Sequence, residues 1–347
     1  MATSRPGPNL SRIATSLGVS VATVSNALSG KGRVSGQLVE RIREHAAELG
    51  YVPSQAGRAL RTGRSGVLGL VLPDIANPLF PKIAQAIEFA ASAAGYGVLI
   101  ADSRGDAAAQ TEAINRLVER GVDGMVIIPR RATRISSAAC PVAVIDTPST
   151  SGNTVAADHS QGGREIAGHL ASLGHRRILI IGNNRESNVQ NDRAGGIRSG
   201  MRPGMHSETL WIDRLEQENG SGCPLGLAEK VRQGFTAFAA LSDLQALRAL
   251  TELQQAGINI PTDVSVTGFD DLIWSPVVTP SLTTVRMDMD RIAGIAVSAL
   301  ADTIRKSRTR EGMLVTAEIE RVAMQLIVRQ SSGPTNPAPK TSEMENM

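Results

Sequence analysis

The sequence predicts an α/β protein with a small all-α segment at its N-terminus and a larger, two-lobed core of parallel sheets. Two observations carry this prediction. Residues 10–60 contain three consecutive helical patterns, and a sharp turn separates the first two. From residue 66 onward, short apolar runs alternate with amphipathic helical patterns, which is typical of parallel strand–helix–strand units.

The N-terminal segment has the features of a helix–turn–helix. Asn9 is a good N-cap for a first helix, and Gly18 supplies the backbone freedom that a sharp turn needs. Ser20 then caps a second helix, in which Val24 and Ala27 fall on one face. The small side chains left for another surface of this helix are Val21, Ala22, Ser25 and Asn26.

In a helix–turn–helix, the N-terminal part of the second helix lies in the major groove of DNA. The alternative is a plain three-helix bundle, because helix pairs of this kind are common packing units. The charge distribution favours DNA binding. Residues 1–64 contain nine Lys or Arg and three acids, a net charge of +6, whereas residues 65–347 carry −3. A positive charge confined to one small segment is expected for phosphate binding.

The core contains too many strand-like runs for one compact sheet, so we expect two lobes. These runs occur at residues 66–72, 98–101, 125–128, 142–145, 178–181, 210–212, 235–241 and 264–269. Helical patterns lie between them at residues 79–94, 111–120, 161–173 and 243–256. Ligands of open α/β sheets bind beyond the carboxyl ends of the strands, and in two facing lobes these ends line one cleft.

Polar and aromatic residues that follow these runs are therefore candidates for ligand binding. Carboxylates accept paired hydrogen bonds from vicinal hydroxyls, Arg donates two parallel bonds, and an aromatic face covers a sugar ring. We expect Arg193 to open the helix that follows residues 178–182. The candidates are Asp74, Asn77, Phe80, Asp102, Asp146, Arg193 and Asp270.

Four of these candidates also have a purely structural alternative. Asp270 would cap the turn that follows it, and Asp74 and Asn77 would form an Asx-type turn before Pro78. Arg193 would be a solvated residue at a helix start. These alternatives predict local hydrogen bonds and no shared cleft.

Several function classes are not indicated. The chain has no P-loop, dinucleotide fingerprint or nucleophile elbow, so we predict no enzyme and no catalytic residue. Two cysteines, Cys140 and Cys223, and five histidines form no metal-binding or redox spacing, so we predict no metal or cofactor. No apolar run reaches a membrane span, and the N-terminus lacks the apolar core of a signal peptide, so we expect a cytoplasmic protein.

Seven short motifs resemble the LacI/GalR family of bacterial transcription factors. In chain order they are GVSVATVS at 18–25, GYVP at 50–53, RTGRS at 61–65, NP at 77–78, HR at 175–176, GFDD at 268–271 and LTTV at 282–285. The resemblance covers residues 9–331. It implies a DNA-binding headpiece, a hinge helix and a two-lobed effector core related to periplasmic sugar-binding proteins.

The resemblance also implies where these regions lie. We expect a headpiece at 1–50, a hinge helix and linker at 51–65, and a core at 66–331. The chain is expected to cross between the lobes near Asp158, Met287 and Val322. A proline-rich tail at 332–347 without leucine heptads is expected to be disordered and unable to form a tetramerising coiled coil.

Site residues are carried over from the family by matching positions. Arg193 and Asp270 are the best matches to the family's effector contacts. The DNA-binding set is Ser20, Val21, Ala22, Thr23, Ser25, Asn26, Arg33, Leu60 and Arg61. The effector-binding set is Asp74, Asn77, Phe80, Asp146, Arg193, Ser242 and Asp270. Several positions depart from the family. Ser242 replaces a frequent Asn, Asn26 a common Arg and Gly57 the usual Ala, and residues 195–204 are richer in Gly and Pro than the family's helix at that place.

We therefore expect a transcriptional regulator, most simply a repressor, that binds near-palindromic double-stranded operator DNA as a homodimer. Its expected effector is a small sugar, sugar alcohol or sugar derivative, which either releases the protein from DNA or recruits it. In the hinge, the resemblance implies that Leu60 wedges into the minor groove; the alternative is a flexible linker containing Gly57. The alternative function is a cytoplasmic sugar-binding or sugar-processing protein with the same core, for which a basic headpiece is unnecessary.

Overall fold

A computed structural model of the chain describes residues 9–30, 32–51, 63–135, 139–149, 152–306 and 319–335. The chain forms two compact units, Met1–Ser65 and Gly66–Met347. The boundary between them falls after Ser65. Most of the expected hinge, including Leu60 and Arg61, lies outside the described residues, so the hinge helix stays a prediction.

The N-terminal unit contains the expected helix–turn–helix and a third helix. Its helices are α1 (Leu10–Leu17), α2 (Val21–Ser29) and α3 (Gly36–Glu48). Both predicted N-caps are present, because Asn9 Oδ1 accepts the N–H of Arg12 at 2.9 Å and Ser20 Oγ accepts that of Thr23 at 3.0 Å. Gly18 ends α1 with a φ of +66°, a conformation that glycine adopts without steric cost.

Each of these three helices supplies apolar side chains to one small core. Because the buried residues recur at helical spacing, each helix buries one face and leaves the other in solvent. The buried residues are Ile13, Ala14, Val24, Ala27, Ile42 and Ala46.

The second unit contains two parallel sheets and a short antiparallel pair. Its strands are β1 (Val67–Leu72), β2 (Gly97–Asp102), β3 (Gly124–Ile127), β4 (Val142–Asp146), β5 (Val155–Ala157), β6 (Arg177–Gly182), β7 (His206–Trp211), β8 (Ala237–Ala240), β9 (Ser265–Thr267), β10 (Thr284–Arg286), β11 (Glu320–Val322) and β12 (Gln325–Ile327). One sheet has the order β11-β5-β4-β3-β1-β2 and the other β7-β6-β8-β9. Neighbours in both sheets pair in parallel, while β10 pairs antiparallel with β12.

Helices cover these sheets and connect successive strands. They are α4 (Leu79–Ala93), α5 (Ala107–Glu119), α6 (His159–Ser172), α7 (Asn188–Ser199), α8 (Ile212–Asn219), α9 (Leu227–Arg232), α10 (Asp243–Gln255) and α11 (Met289–Lys306). We call the six-stranded sheet with α4, α5 and α11 lobe 1, and the four-stranded sheet with α6 to α10 lobe 2. The predicted α/β fold class with two parallel-sheet lobes is therefore confirmed.

The chain passes between the lobes three times, at the expected places. It leaves lobe 1 after β5 at Asp158 and returns after β10 at Met287, because α11 packs on α4 and β4. It leaves lobe 1 again after β11, which ends at Val322. The C-terminal part therefore contributes to both lobes.

Most predicted element boundaries agree with the structure within four residues, but two differ in substance. The strand predicted at 210–212 is β7, which begins at His206, and Ile212 already starts α8. As an edge strand paired only with β6, β7 carries half-exposed polar residues that obscure the strand pattern. Arg193 is the sixth residue of α7 and does not open it, because Ser187 caps the helix earlier.

The first residues of the expected disordered tail belong to the core. Ser332 Oγ lies 2.9 Å from His169 Nε2, and the N–H of Gly333 donates to Ser265 Oγ at 3.0 Å. The N–H of Thr335 donates to a backbone carbonyl at 3.0 Å. These bonds offset the entropy cost of ordering the segment, so the core extends through residue 335, and residues 336–347 lie outside the described part.

Candidate functional site

One face of α2 is buried in the headpiece and the other is open to solvent. Val24 is fully buried, whereas Val21 is 44% exposed and Ala22 is exposed. Ser25 and Asn26 are half-buried beside this surface. An exposed valine at the start of a helix suits contact with a thymine methyl group, and Asn pairs with base edges in the major groove.

Two of the predicted DNA-binding residues have a defined local role. Ser20 Oγ accepts the N–H of Thr23, and the two hydroxyls lie 2.9 Å apart. These contacts determine where α2 begins and therefore orient its exposed face. Arg33, between α2 and α3, is exposed, as a phosphate contact requires.

A cavity of about 870 Å³ lies between lobes 1 and 2, at the carboxyl ends of their strands. This volume is in the range of small-molecule sites. Residues from both lobes line it, and they include all seven residues of the predicted effector-binding set: Asp74, Asn77, Phe80 and Asp146 from lobe 1, and Arg193, Ser242 and Asp270 from lobe 2. The structure therefore brings together residues that are far apart in the sequence.

The structural alternatives for the lobe 1 candidates are also present. Asp74 Oδ1 accepts the N–H of Ala76 at 3.0 Å, and Asn77 Oδ1 accepts that of Leu79 at 3.1 Å. These Asx-type turns shape the loop after β1 while both residues line the cleft. Asp102 does not line the cleft. Its Oδ1 accepts the backbone N–H groups of Ile75, in the loop after β1, and of Arg104, in the loop after β2.

At the cleft floor, Arg193 and Asp270 form a buried ion pair. Arg193 Nη2 lies 2.8 Å from Asp270 Oδ1, and the two side chains are only 4% and 3% exposed. Arg193 also donates from Nη1 to the carbonyl of Leu241 at 2.6 Å and from Nε to His159 Nδ1 at 3.3 Å. Its guanidinium lies 4.5 Å above the ring centre of Phe269. Arg193 is therefore not a solvated residue.

His159 is a cleft residue that the sequence analysis did not single out. It is the first residue of α6, directly after the N-cap Asp158. Burial lowers the pKa of His159 well below its ordinary value, and the positive charge of Arg193 lowers it further. The ring is therefore neutral, and because Nδ1 accepts a bond from Arg193, Nε2 carries the proton. Its only signal in the sequence is its position next to Asp158, near which the chain was expected to cross between the lobes.

Asp243, next to Ser242, organises the loop after Asp270. Its carboxylate accepts the N–H of Leu272 at 2.8 Å, Ser275 Oγ at 2.5 Å and Thr284 Oγ1 at 2.6 Å. Burial raises the pKa of Asp243 to about 7, and the charge of Asp270 contributes to the same effect. Ser242 itself caps α10, so the Ser at this position has a structural role besides lining the cleft.

Asp271, next to Asp270 at the cleft floor, makes hydrogen bonds to residues of both lobes. Its carboxylate accepts bonds from Arg329 at 2.7 Å and Arg286 at 2.6 Å, and its carbonyl accepts one from Lys82 of lobe 1 at 3.1 Å. Burial opposes ionisation of Asp271, but bonds from the two guanidinium groups outweigh it and lower its pKa. Asp270 and Asp271 have φ values of +108° and +47°, a strained backbone that these contacts hold.

The described residues show two further features. No group of three or more His, Cys, Asp or Glu in this part of the chain is placed to hold a metal ion. Among the same residues, no helix is both long and apolar enough to cross a membrane.

Comparison with known proteins gives consistent results for the two units. Residues 9–54 match the description "Bacterial regulatory proteins, lacI family", and residues 167–332 match "Periplasmic binding protein-like domain". The transcriptional regulator MalR of Streptomyces coelicolor is 31% identical over 314 residues, which cover 85% of this chain and 90% of that protein.

Two solved structures share the architecture. The Lac repressor dimer bound to operator and an anti-inducer has a TM-score of 0.76 at 23% identity, over 94% of this chain and 100% of that one. The transcriptional regulator CelR in complex with cellobiose has a TM-score of 0.66 at 25% identity, over the same shares of the two chains, 94% and 100%.

Proposed function

The chain belongs to the lacI family of bacterial regulatory proteins, and we propose that it is a transcriptional repressor whose affinity for operator DNA is controlled by a small sugar-like effector. The observation that carries this proposal is the pairing of two sites in one chain. The basic headpiece presents the start of α2 to solvent, and the core encloses a polar cleft between two lobes.

The chemistry of the cleft supports a polyhydroxylated ligand. Asp74 and Asp146 offer carboxylate acceptors, Arg193 and His159 offer N–H donors, and Phe80 offers an aromatic face. A sugar, sugar alcohol or sugar derivative satisfies such a mixture, and the related regulator CelR binds cellobiose. An effector that binds one arrangement of the lobes more tightly than the other shifts the DNA-binding equilibrium by that difference.

The proposed assembly is a homodimer on a near-palindromic operator in the cytoplasm, where the DNA lies. Its support is the likeness of the fold to a repressor dimer on its operator. A free sugar-binding or sugar-processing protein is the competing function, and it has no use for DNA recognition by α2.

Selection of binding sites from random DNA, followed by a gel shift, tests the proposal. We expect a two-fold symmetric site bound by a dimer. Because Asn26 lies beside the exposed surface of α2, Asn26→Arg is expected to change base preference at one position in each half-site. Binding without sequence preference, or a monomer on a single half-site, would contradict the proposal, and an unchanged preference in Asn26→Arg would remove Asn26 from the reading surface.

A thermal-shift screen with sugars and sugar alcohols tests the effector half of the proposal. A ligand that binds only the folded core raises its apparent stability by mass action. The identified ligand should then change operator affinity in the gel shift. A ligand that stabilises the protein without changing operator affinity would favour the competing sugar-binding function.

A further inference from the structure

Besides the three chain crossings and the bond from Lys82 to the carbonyl of Asp271, two bonds between side chains join the lobes across the cleft. The first is an ion pair at the rim. Arg131, which follows β3 in lobe 1, places Nη1 2.6 Å from Oε2 of Glu186, which follows β6 in lobe 2. The two side chains are 64% and 58% exposed, in contrast to the buried pair at the cleft floor, so this contact lies where the cleft meets solvent.

The second bond lies deeper. Thr147 directly follows β4 in lobe 1 and is fully buried. Its hydroxyl donates to a carboxylate oxygen of Asp192, which is on α7 of lobe 2. Asn153 Nδ2 donates to the carbonyl of Thr147 at 2.6 Å and so holds the threonine in place. A hydroxyl bound to a carboxylate is a charge-assisted hydrogen bond, which is stronger than one between neutral groups.

We propose that the Arg131–Glu186 and Thr147–Asp192 bonds form a latch that favours the closed arrangement of the lobes by itself, without a contribution from the effector. Both bonds join opposite lobes, so separation of the lobes breaks them and returns their groups to water. A bond that exists in only one of two conformations shifts their populations by its net free energy. The latch therefore determines the ratio of open to closed lobes before the effector binds. This inference rests on the proposed function, because it concerns the same effector-controlled core.

The two bonds respond differently to salt. The rim pair is exposed, so mobile ions screen its attraction. The bond of Thr147 is shielded because the threonine is buried. The rim bond therefore makes lobe closure sensitive to ionic strength, while the inner bond maintains closure at high salt.

Distance measurements by pulsed electron spin resonance on the full chain test the latch. Cys140→Ser and Cys223→Ser remove the native thiols, and spin labels are attached at Glu119→Cys on α5 and Gln255→Cys on α10. Both positions are exposed, and they lie in different lobes. Dilution with unlabelled chain restricts the signal to distances within one chain, and the distance distribution then reports the ratio of open to closed lobes.

We expect Glu186→Gln to raise the ratio of open to closed lobes about two- to fivefold at low salt, the range that exposed ion pairs give. This increase should disappear in 1 M salt. The Debye length is then about 3 Å, so mobile ions weaken the Arg131–Glu186 pair in the parent protein as well. Thr147→Val keeps the side-chain shape but removes the donor to Asp192, and it should raise the ratio about tenfold or more at both salt concentrations.

Two further variants separate the latch from general effects of substitution. Exchange of the charges by Arg131→Glu with Glu186→Arg should lower the ratio toward that of the parent protein, because it restores an attraction between the lobes. Arg185, whose Nε lies 3.8 Å from Glu186 Oε1 in the parent, limits the recovery. Glu218→Gln breaks a pair of similar exposure with Arg214, 3.1 Å apart within α8, and should leave the ratio unchanged.

Parent-like distance distributions in both Glu186→Gln and Thr147→Val would overturn the latch. An increase that the charge exchange fails to reverse, or that Glu218→Gln reproduces, would overturn the role of the rim pair. The measurement uses neither operator nor effector. Its failure would therefore leave the proposed repressor function intact, and failure of DNA binding would leave the latch result intact.

Discussion

Arg193 and Asp270 are cleft residues and also each other's counter-charge. As separate ligand contacts, each would present its charge to the cleft, but at 4% and 3% exposure neither charge is solvated. Removal of one partner leaves the other charge buried and unpaired, which costs far more than loss of an exposed contact. Loss of effector response in a single variant would therefore mix two effects, namely lost ligand contact and a weakened core.

We expect Arg193→Met to lower the free energy of unfolding by about 3–5 kcal/mol, because Asp270 remains buried without its partner. Arg193→Met combined with Asp270→Asn should recover much of this loss. Urea denaturation measures both values. Arg291→Met, which breaks an exposed pair with Glu320 at 3.2 Å, is the control and should change stability by about 1 kcal/mol or less. A double variant less stable than Arg193→Met would contradict the pairing.

His159 gives the core a pH dependence of definite sign. Because burial and Arg193 lower its folded-state pKa, the unfolded chain binds more protons than the folded chain below the ordinary histidine value of about 6.5. Its contribution to stability is therefore full above that value and is lost as the pH falls. His169 and His175, whose pKa values burial also lowers, act in the same direction.

Between pH 7.5 and 5.5, we expect the free energy of unfolding of His159→Asn to fall by about 1 kcal/mol less than that of the parent protein. Urea denaturation at the two pH values measures the difference. His206→Asn, which replaces a histidine whose side chain is 60% exposed, is the control and should follow the parent. An equal loss in His159→Asn and the parent would show that His159 does not resist protonation.

At the scale of elements, helices α6 and α7 position the cleft floor by close approach. A Cβ atom at Gly196 would lie 2.2 Å from the carbonyl oxygen of Ser160, and one at Gly163 would lie 2.4 Å from that of Arg193. Only glycine permits this backbone contact. The glycine-rich sequence after Arg193, which the sequence analysis noted as a departure from the family, is thus what lets α7 lie against α6.

Gly195 and Gly196 provide a matched pair of substitutions on α7. Gly196→Ala should lower the free energy of unfolding by about 1–3 kcal/mol, because the added methyl group overlaps the backbone of α6. Gly195→Ala meets no atom within 4 Å and should raise it by about 0.5–1 kcal/mol through helix propensity. Thermal and urea unfolding measure both changes. The same sign in the two variants would contradict the close approach.

At the scale of the whole molecule, the proposed regulation requires the effector core to influence the DNA-binding unit, and the resemblance to the family predicts a hinge helix between them. The expected hinge helix would be too short to be stable alone, and Gly57 would lower its stability further by about 1 kcal/mol relative to the alanine common in the family. If such a hinge folded only on the operator, tight binding to the operator would require the two hinges of the dimer to be correctly spaced.

We expect Leu60→Ala to weaken operator binding at least tenfold while leaving binding to random DNA nearly unchanged. An inserted leucine acts only in the kinked specific complex, whereas phosphate contacts act on any sequence. Gel shifts with both DNAs measure the two affinities. Arg33→Ala is the contrasting variant, since loss of a phosphate contact should weaken both and lower the salt dependence. Equal losses on both DNAs in Leu60→Ala would contradict the wedge.

The sequence by itself determined the local features of this protein. These features arise from residues that are close together in the chain. They are the caps Asn9 and Ser20, the alternation of strands and helices, the basic headpiece and the polar residues that follow the strands. The tertiary structure alone decided that Arg193 pairs with Asp270, that His159 joins them and that residues 332–335 complete lobe 2. These contacts join residues 34 to 163 positions apart, and they arise from the strand order and chain crossings, which local propensity and periodicity do not encode.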